Sequence, residues 1–247
     1  MRSDRLDALR GLAMVWMTAF HLSFDLSYFG LWPQDFYNDP RWTLQRSCIV
    51  SLFLLCAGAG QALALHRGQR RQAFSRRWLQ IAGCALLVSL GSWWMFPGSF
   101  IYFGVLHGMA VMLLLLRLGA ARWRGSDALW WLLGAAALAL AWLGPSIVRS
   151  HVSLDVLNRP WLNWLGLISR KPVTEDYVPL LPWLGIMLWG FAGMRWLLRH
   201  RPQWLGGPLP TSARALAVLG RWSLSYYMLH QPVMIGLLSA LVWLKAG

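Results

Sequence analysis

The sequence predicts an all-α, polytopic transmembrane helix bundle of about seven spans with a cytoplasmic N-terminus, forming one domain over residues 1–247. Three observations predict it. Apolar residues make up 57% of the chain and charged residues only 13%, where soluble domains run roughly 45–50% apolar and about a quarter charged. The apolar residues gather in blocks close to the ~20 residues that cross about 30 Å of hydrocarbon. Arginine is concentrated in alternate connections between those blocks, the pattern that orients helices in a bilayer.

In order, the spans are predicted at 8–30, 47–65, 78–95, 101–117, 128–148, 178–198 and 222–244. The first apolar run begins at Ala8 and no small-residue cleavage site follows it, so it reads as a retained helix and not a cleaved signal. The third and fourth spans are separated by Phe96-Pro-Gly-Ser. Pro179 and Pro182 suit the start of the sixth, and the Pro/Gly-rich stretch Arg201–Thr211 reads as a loop. Pro232 lies inside the seventh, where it removes a helical hydrogen bond and frees the carbonyl of Met228. There is no internal repeat.

With the N-terminus inside, the inner segments hold 16 arginines, including Arg2, Arg5, Arg10, Arg117, Arg124, Arg195 and Arg221, and the outer segments hold seven Lys and Arg. That bias sets the orientation. Carboxylates are skewed the other way: Asp25, Asp35, Asp39, Asp155, Glu175 and Asp176 fall outside, and Asp4, Asp7 and Asp127 inside. The net charge of +14 thus orients helices and does not mark a nucleic-acid binder, while a basic inner face suits an anionic ligand from the cytoplasm. Trp78, Trp93, Trp94, Trp130, Trp183, Trp222 and Trp243 lie near span ends, as interfacial belts do. Cys48, Cys56 and Cys84 sit in apolar stretches and read as packing residues, not a disulfide or metal framework.

An ionisable side chain inside a span costs roughly 2.5–3.5 kcal/mol, so each one points to function. Asp7, Arg10, Thr18, His21 and Asp25 fall within an arc of about 80° on the first helix. Asp7 can pair with Arg10, and His21 with Asp25. His107, between Gly104 and Gly108, falls at a depth similar to His21. His230 and Gln231 lie mid-span before Pro232, with Tyr226 and Tyr227 one turn earlier, and Asp176 and Tyr177 open the sixth span. A histidine desolvated beside a carboxylate can act as a neutral base. His66, His151 and His200 fall in loops. No zinc motif, P-loop, nucleophile elbow or dinucleotide fingerprint is present, so no metal is expected. The same stripe could instead be a polar helix–helix seam.

Several motifs carry a resemblance. Arg5-Leu-Asp-Ala-Leu-Arg-Gly11 followed by His21 and Asp25, Phe103-Gly-Val-Leu-His107, Asp176-Tyr-Val-Pro-Leu-Leu-Pro-Trp183, and Leu219-Gly-Arg-Trp-Ser-Leu-Ser-Tyr-Tyr-Met-Leu-His-Gln-Pro232 together resemble bacterial members of the heparan-alpha-glucosaminide N-acetyltransferase catalytic-domain family. The resemblance covers nearly the whole chain. It implies acetyl transfer across the bilayer from acetyl-CoA, a co-substrate, to a sugar amine. Larger eukaryotic members carry a catalytic Asn late in the first span and a His in the following loop. His21 stands at the Asn position, and Asp39 most nearly replaces the loop His. Related O-acyltransferases also place a His near the end of that helix, which suits a hydroxyl acceptor.

The resulting expectation is a transmembrane acyltransferase in a bacterial inner membrane, moving an acyl group from cytoplasmic acyl-CoA to an extracytoplasmic glycan. Its partners are then the lipid bilayer, acyl-CoA and the glycan acceptor; a homodimer is compatible with the sequence and nucleic acid is not expected. Arg5 and Arg10 would meet the phosphates, with Arg10 to His21 spanning about 16 Å. His21 would be the base, Asp25 would orient it, and His107, His230 or Tyr227 would donate to the oxyanion. Asp39, Asp176, Tyr177, Tyr227 and Gln231 would contact the acceptor. A small-molecule transporter or flippase, and a non-catalytic membrane subunit, are the alternatives; transporters often show the repeat symmetry absent here.

Overall fold

The computed structural model describes residues 3–123 and 126–246; Arg2 and Arg124 of the inner arginine set lie outside them. Eight α-helices follow one another: α1 (Asp4–Tyr28), α2 (Pro40–His66), α3 (Arg71–Met95), α4 (Val105–Arg122), α5 (Asp127–Ser150), α6 (Leu180–His200), α7 (Thr211–Arg221) and α8 (Ser223–Ala246). Short 3₁₀ turns occupy 152–158, 163–165 and 202–205. Among the described residues the extended pairing is one isolated bridge, Phe103 to Tyr177.

Among the described residues six helices, α2 to α6 and α8, are long and apolar enough to cross a membrane. The chain is an all-helical integral membrane protein. The predicted first span, α1, is 25 residues long but is not among the six. Asp4, Arg5, Asp7, Arg10, His21 and Asp25 dilute its hydropathy.

Helix ends depart from the apolar blocks for local reasons. α2 begins at Pro40 and not 47, because Asp39 caps it: the Arg41 N–H donates to Asp39 Oδ1 at 2.8 Å, and Pro40 stands at the first helical position, which lacks an intrahelical acceptor anyway. α3 begins at Arg71 and not 78, since hydropathy marks the bilayer crossing and not the polar turn outside it. In the loop before α2, Asp35 accepts from the Asn38 side chain and from the Tyr37 and Asn38 amides. The Asn38 side-chain bond first, then its backbone N–H, hold the Asp35 carboxyl below the usual range.

The chain divides into two compact units, one of residues up to Phe53 with those from Gln203 on, the other Leu54–Pro202; α2 contributes to both. In the first unit, Ala13, Met14, Met17, Phe20, Phe36, Ile49 and Phe53 form the core. α7, which the sequence reading had not separated from the preceding loop, packs antiparallel on the first half of α1. Gly11 lies against the Leu216 carbonyl and Gly220 against that of Asp7, so a Cβ at either position would meet backbone. Arg221 pairs with Asp4 at 2.7 Å.

In the second unit, α5 packs on α6 through Trp130, edge-on to Phe191 with centroids 4.9 Å apart. Asp127 at the start of α5 accepts from Arg195 and Arg199 of α6 at 2.7 and 2.6 Å. Trp130 is 2% exposed, so it belongs to this core and not to an interfacial belt. Trp78 likewise turns inward, donating to the Ala110 carbonyl at 2.9 Å. Trp93, Trp94, Trp222 and Trp243 are largely exposed, as a belt requires.

Candidate functional site

In the first unit, α1 and α8 run parallel and are joined by three polar rungs. The Thr18 hydroxyl donates to the Met14 carbonyl, 2.8 Å, so at the lowest rung the Tyr226 hydroxyl donates to Thr18 Oγ1, 2.7 Å. Next, His21 Nδ1 lies 2.7 Å from His230 Nε2, with the ring planes within 14°. Above it, Gln231 Nε2 donates to Asp25 Oδ1 at 2.7 Å. The stripe read from the sequence thus faces one neighbouring helix.

The tautomers of the histidine pair follow from one carbonyl. His230 Nδ1 is 2.7 Å from the Tyr227 carbonyl oxygen, which can only accept, so Nδ1 carries hydrogen. In the neutral pair His230 Nε2 is then the acceptor and His21 Nδ1 the donor. The lone pair of His21 Nε2 remains, and that nitrogen has no hydrogen-bond partner among the described residues. His230 is buried, and the Tyr226 ring lies parallel to it, 7° between planes at 5.8 Å.

This geometry corrects several expectations. His21 and Asp25 do not pair with each other; both reach across to α8, whose adjacent His230 and Gln231 offer straighter partners than a side chain one turn away. Asp25 is therefore not the orienting group for His21. The proton on His230 Nδ1 is held by Tyr227, which removes His230 as an oxyanion donor through that atom. Tyr227 takes part through its backbone carbonyl, while Tyr226 sends its hydroxyl into the seam. At 100° per residue Tyr226 lies 40° from His230 and Tyr227 60° away, the signal that separates them.

The other expected residues each meet protein groups. Arg10 pairs with buried Asp7 at 2.8 Å, as its spacing implied, so that guanidinium is engaged. Exposed Arg5 donates to the Trp204 carbonyl at 2.8 Å. Asp39 caps α2. In the second unit, His107 and Asp176 meet at the start of α4. Asp176 Oδ2 accepts from the Val105 N–H at 2.7 Å and fills the space a Cβ on Gly104 would need. His107 Nδ1 accepts from the Gly104 N–H, 3.3 Å, which puts the hydrogen on Nε2, 2.9 Å from Ser89 Oγ; Ser89 in turn donates to the Ile101 carbonyl at 2.7 Å. Both His107 nitrogens are engaged, Nδ1 in capping α4 and Nε2 by Ser89 of α3. Tyr177 donates to the Asn163 carbonyl at 2.6 Å. Burial, with Tyr102 beside it, pushes the Tyr177 phenol up, so it stays a neutral donor. The Phe-Gly-Val-Leu-His and Asp-Tyr-Val-Pro segments are thus two halves of one bracket: the Val178 N–H donates to the Phe103 carbonyl at 3.1 Å, and Gly108 lies against the Val178 carbonyl.

Comparison with curated proteins and with solved structures finds no match. A family model does match: the description is heparan-alpha-glucosaminide N-acetyltransferase, catalytic, and it aligns to residues 2–232, which include every rung of the seam and both halves of the bracket. The chain belongs to the heparan-alpha-glucosaminide N-acetyltransferase catalytic-domain family.

Proposed function

We propose that this protein is a transmembrane acyltransferase that moves an acetyl group from cytoplasmic acetyl-CoA to a hydroxyl or amine of an extracytoplasmic glycan, with the His21–His230 pair as its base. Family membership supports the reaction class. The carrying observation is the 2.7 Å contact between His21 Nδ1 and His230 Nε2, with His230 fixed by the Tyr227 carbonyl. That arrangement leaves His21 Nε2 as a lone pair backed by a second imidazole.

His21 Nε2 takes the proton of the acceptor X–H as X attacks the thioester carbonyl. As positive charge grows on His21, its Nδ1–H leans further onto His230 Nε2. The X–C bond forms, the C–S bond breaks, and the proton passes from His21 to the leaving thiolate, giving X–acetyl and CoA–SH. Arg5, exposed at the start of α1, is our candidate for the CoA phosphates. α1 serves as the seventh span: the parallel run of α1 and α8 supports an odd number of crossings between them, as the five helices α2 to α6 provide. The Arg distribution supports a cytoplasmic N-terminus, and we place the protein in a bacterial inner membrane.

The test is labelled acetyl-CoA with purified protein in nanodiscs and a cell-envelope glycan extract. We expect label to move from CoA to glycan in wild type, and His21→Ala to abolish transfer while CoA still binds. Full activity in that variant removes His21 as base. Uptake of a solute into liposomes with no acetyl-CoA consumed would instead favour a transporter.

A further inference from the structure

The outermost rung is incomplete. Asp25 is 3% exposed and spends Oδ1 on Gln231. Its Oδ2 and the Gln231 Oε1 are both buried and find no hydrogen-bond partner among the described residues. Rotating the Gln231 amide by 180° does not help, because it would set an oxygen against the carboxylate. A seam that only glued two helices would satisfy its polar atoms, as the Thr18–Tyr226 rung does. Two buried acceptors on one residue pair call for a ligand that brings donors. Four residues separate His21 from Asp25, a rise of about 6 Å on the same helix face.

We propose that Asp25 Oδ2 and Gln231 Oε1 form a second contact point for the acceptor substrate, accepting hydrogens from a hydroxyl or amino group that neighbours the one deprotonated by His21. Hydrogen bonds of about 2.8 Å at each end, with adjacent donor groups between them, fill that interval. The site therefore selects acceptors carrying two neighbouring donors, a polyol or amino alcohol, over monofunctional alcohols and amines. Asp25 and Gln231 are specificity-determining residues in this scheme and exchange no proton with the acceptor.

This inference rests on the transfer reading, and one experiment separates the two. Full-length protein in nanodiscs is given labelled acetyl-CoA and two matched pairs of probes: methyl glucosaminide against cyclohexylamine, and methyl glucoside against cyclohexanol. Wild type is expected to prefer the sugar of at least one pair by about 10–100-fold in kcat/KM, the range for a hydrogen bond to a charged acceptor. Asp25→Asn and Gln231→Leu should collapse that preference, raising KM for the sugar more than for the cyclohexyl probe. If both variants, shown folded by their melting temperatures, slow both members of a pair equally, the subsite is overturned and the rung is structural. Gln231→Met serves where Gln231→Leu does not fold. If wild type consumes no acetyl-CoA with any probe, the transfer reading falls and the subsite with it.

Discussion

At the scale of single residues, the seam rests on proton positions set by one carbonyl. Tyr227 fixes the His230 tautomer, and that choice propagates to His21 Nε2. In the proposed mechanism His230 acts by supporting His21, which would make it a positioning residue. His230→Leu is expected to lower kcat about 10²-fold with little change in KM, the lower end of what general-base assistance supplies. His230→Gln, whose side-chain oxygen can accept from His21 Nδ1–H, should recover part of the loss. Equal kcat in the Leu and Gln variants would show that His230 only fills space. That His21 needs a polar partner was legible from the sequence, because an ionisable group in an apolar helix is costly. Its partner was not, because Asp25 at four residues and His230 at 209 look equally good until the helices are placed.

At the scale of elements, glycine decides which helices touch. α7 has only 11 residues and cannot span a bilayer, yet it is held tightly along α1. Gly220→Ala would drive a Cβ into the Asp7 carbonyl, and we expect it to cost about 1–3 kcal/mol, the range for overpacking a tight contact. Thermal melting in detergent with Gly83→Ala as control, where a Cβ meets nothing within 4 Å, checks this; equal melting temperatures would mean that α7 yields. α7 escaped the sequence reading because it is short and follows a Pro/Gly-rich stretch. The bracket in the second unit teaches the same lesson for function. His107 drew attention at a depth similar to His21, and Asp176 and Tyr177 at the start of the sixth span; each also contacts a backbone group at a helix end or loop, because backbone groups buried there need partners as much as a substrate does.

At the scale of the whole molecule, the number of crossings is a testable quantity. Six helices qualify by length and hydropathy, and α1 would make seven. Reporter fusions that distinguish the two sides of the membrane decide it. We expect the N-terminus in the cytoplasm and the C-terminus on the opposite side, as α1 and α8 in parallel require. Both termini on one side would mean an even number and would remove α1 from the spans.

Membrane class, most of the span positions and the polar stripe on α1 can be read from the residues in order. These follow from hydropathy and from the 3.6-residue period, which are properties of a chain segment and its solvent. Helix packing is what pairs His21 with His230, brings Gln231 to Asp25 with two oxygens to spare, and sets His107 and Asp176 at the start of α4. Those choices depend on which helix faces which, and hydrogen bonds of 2.7 Å between residues some 200 apart leave no trace in local periodicity.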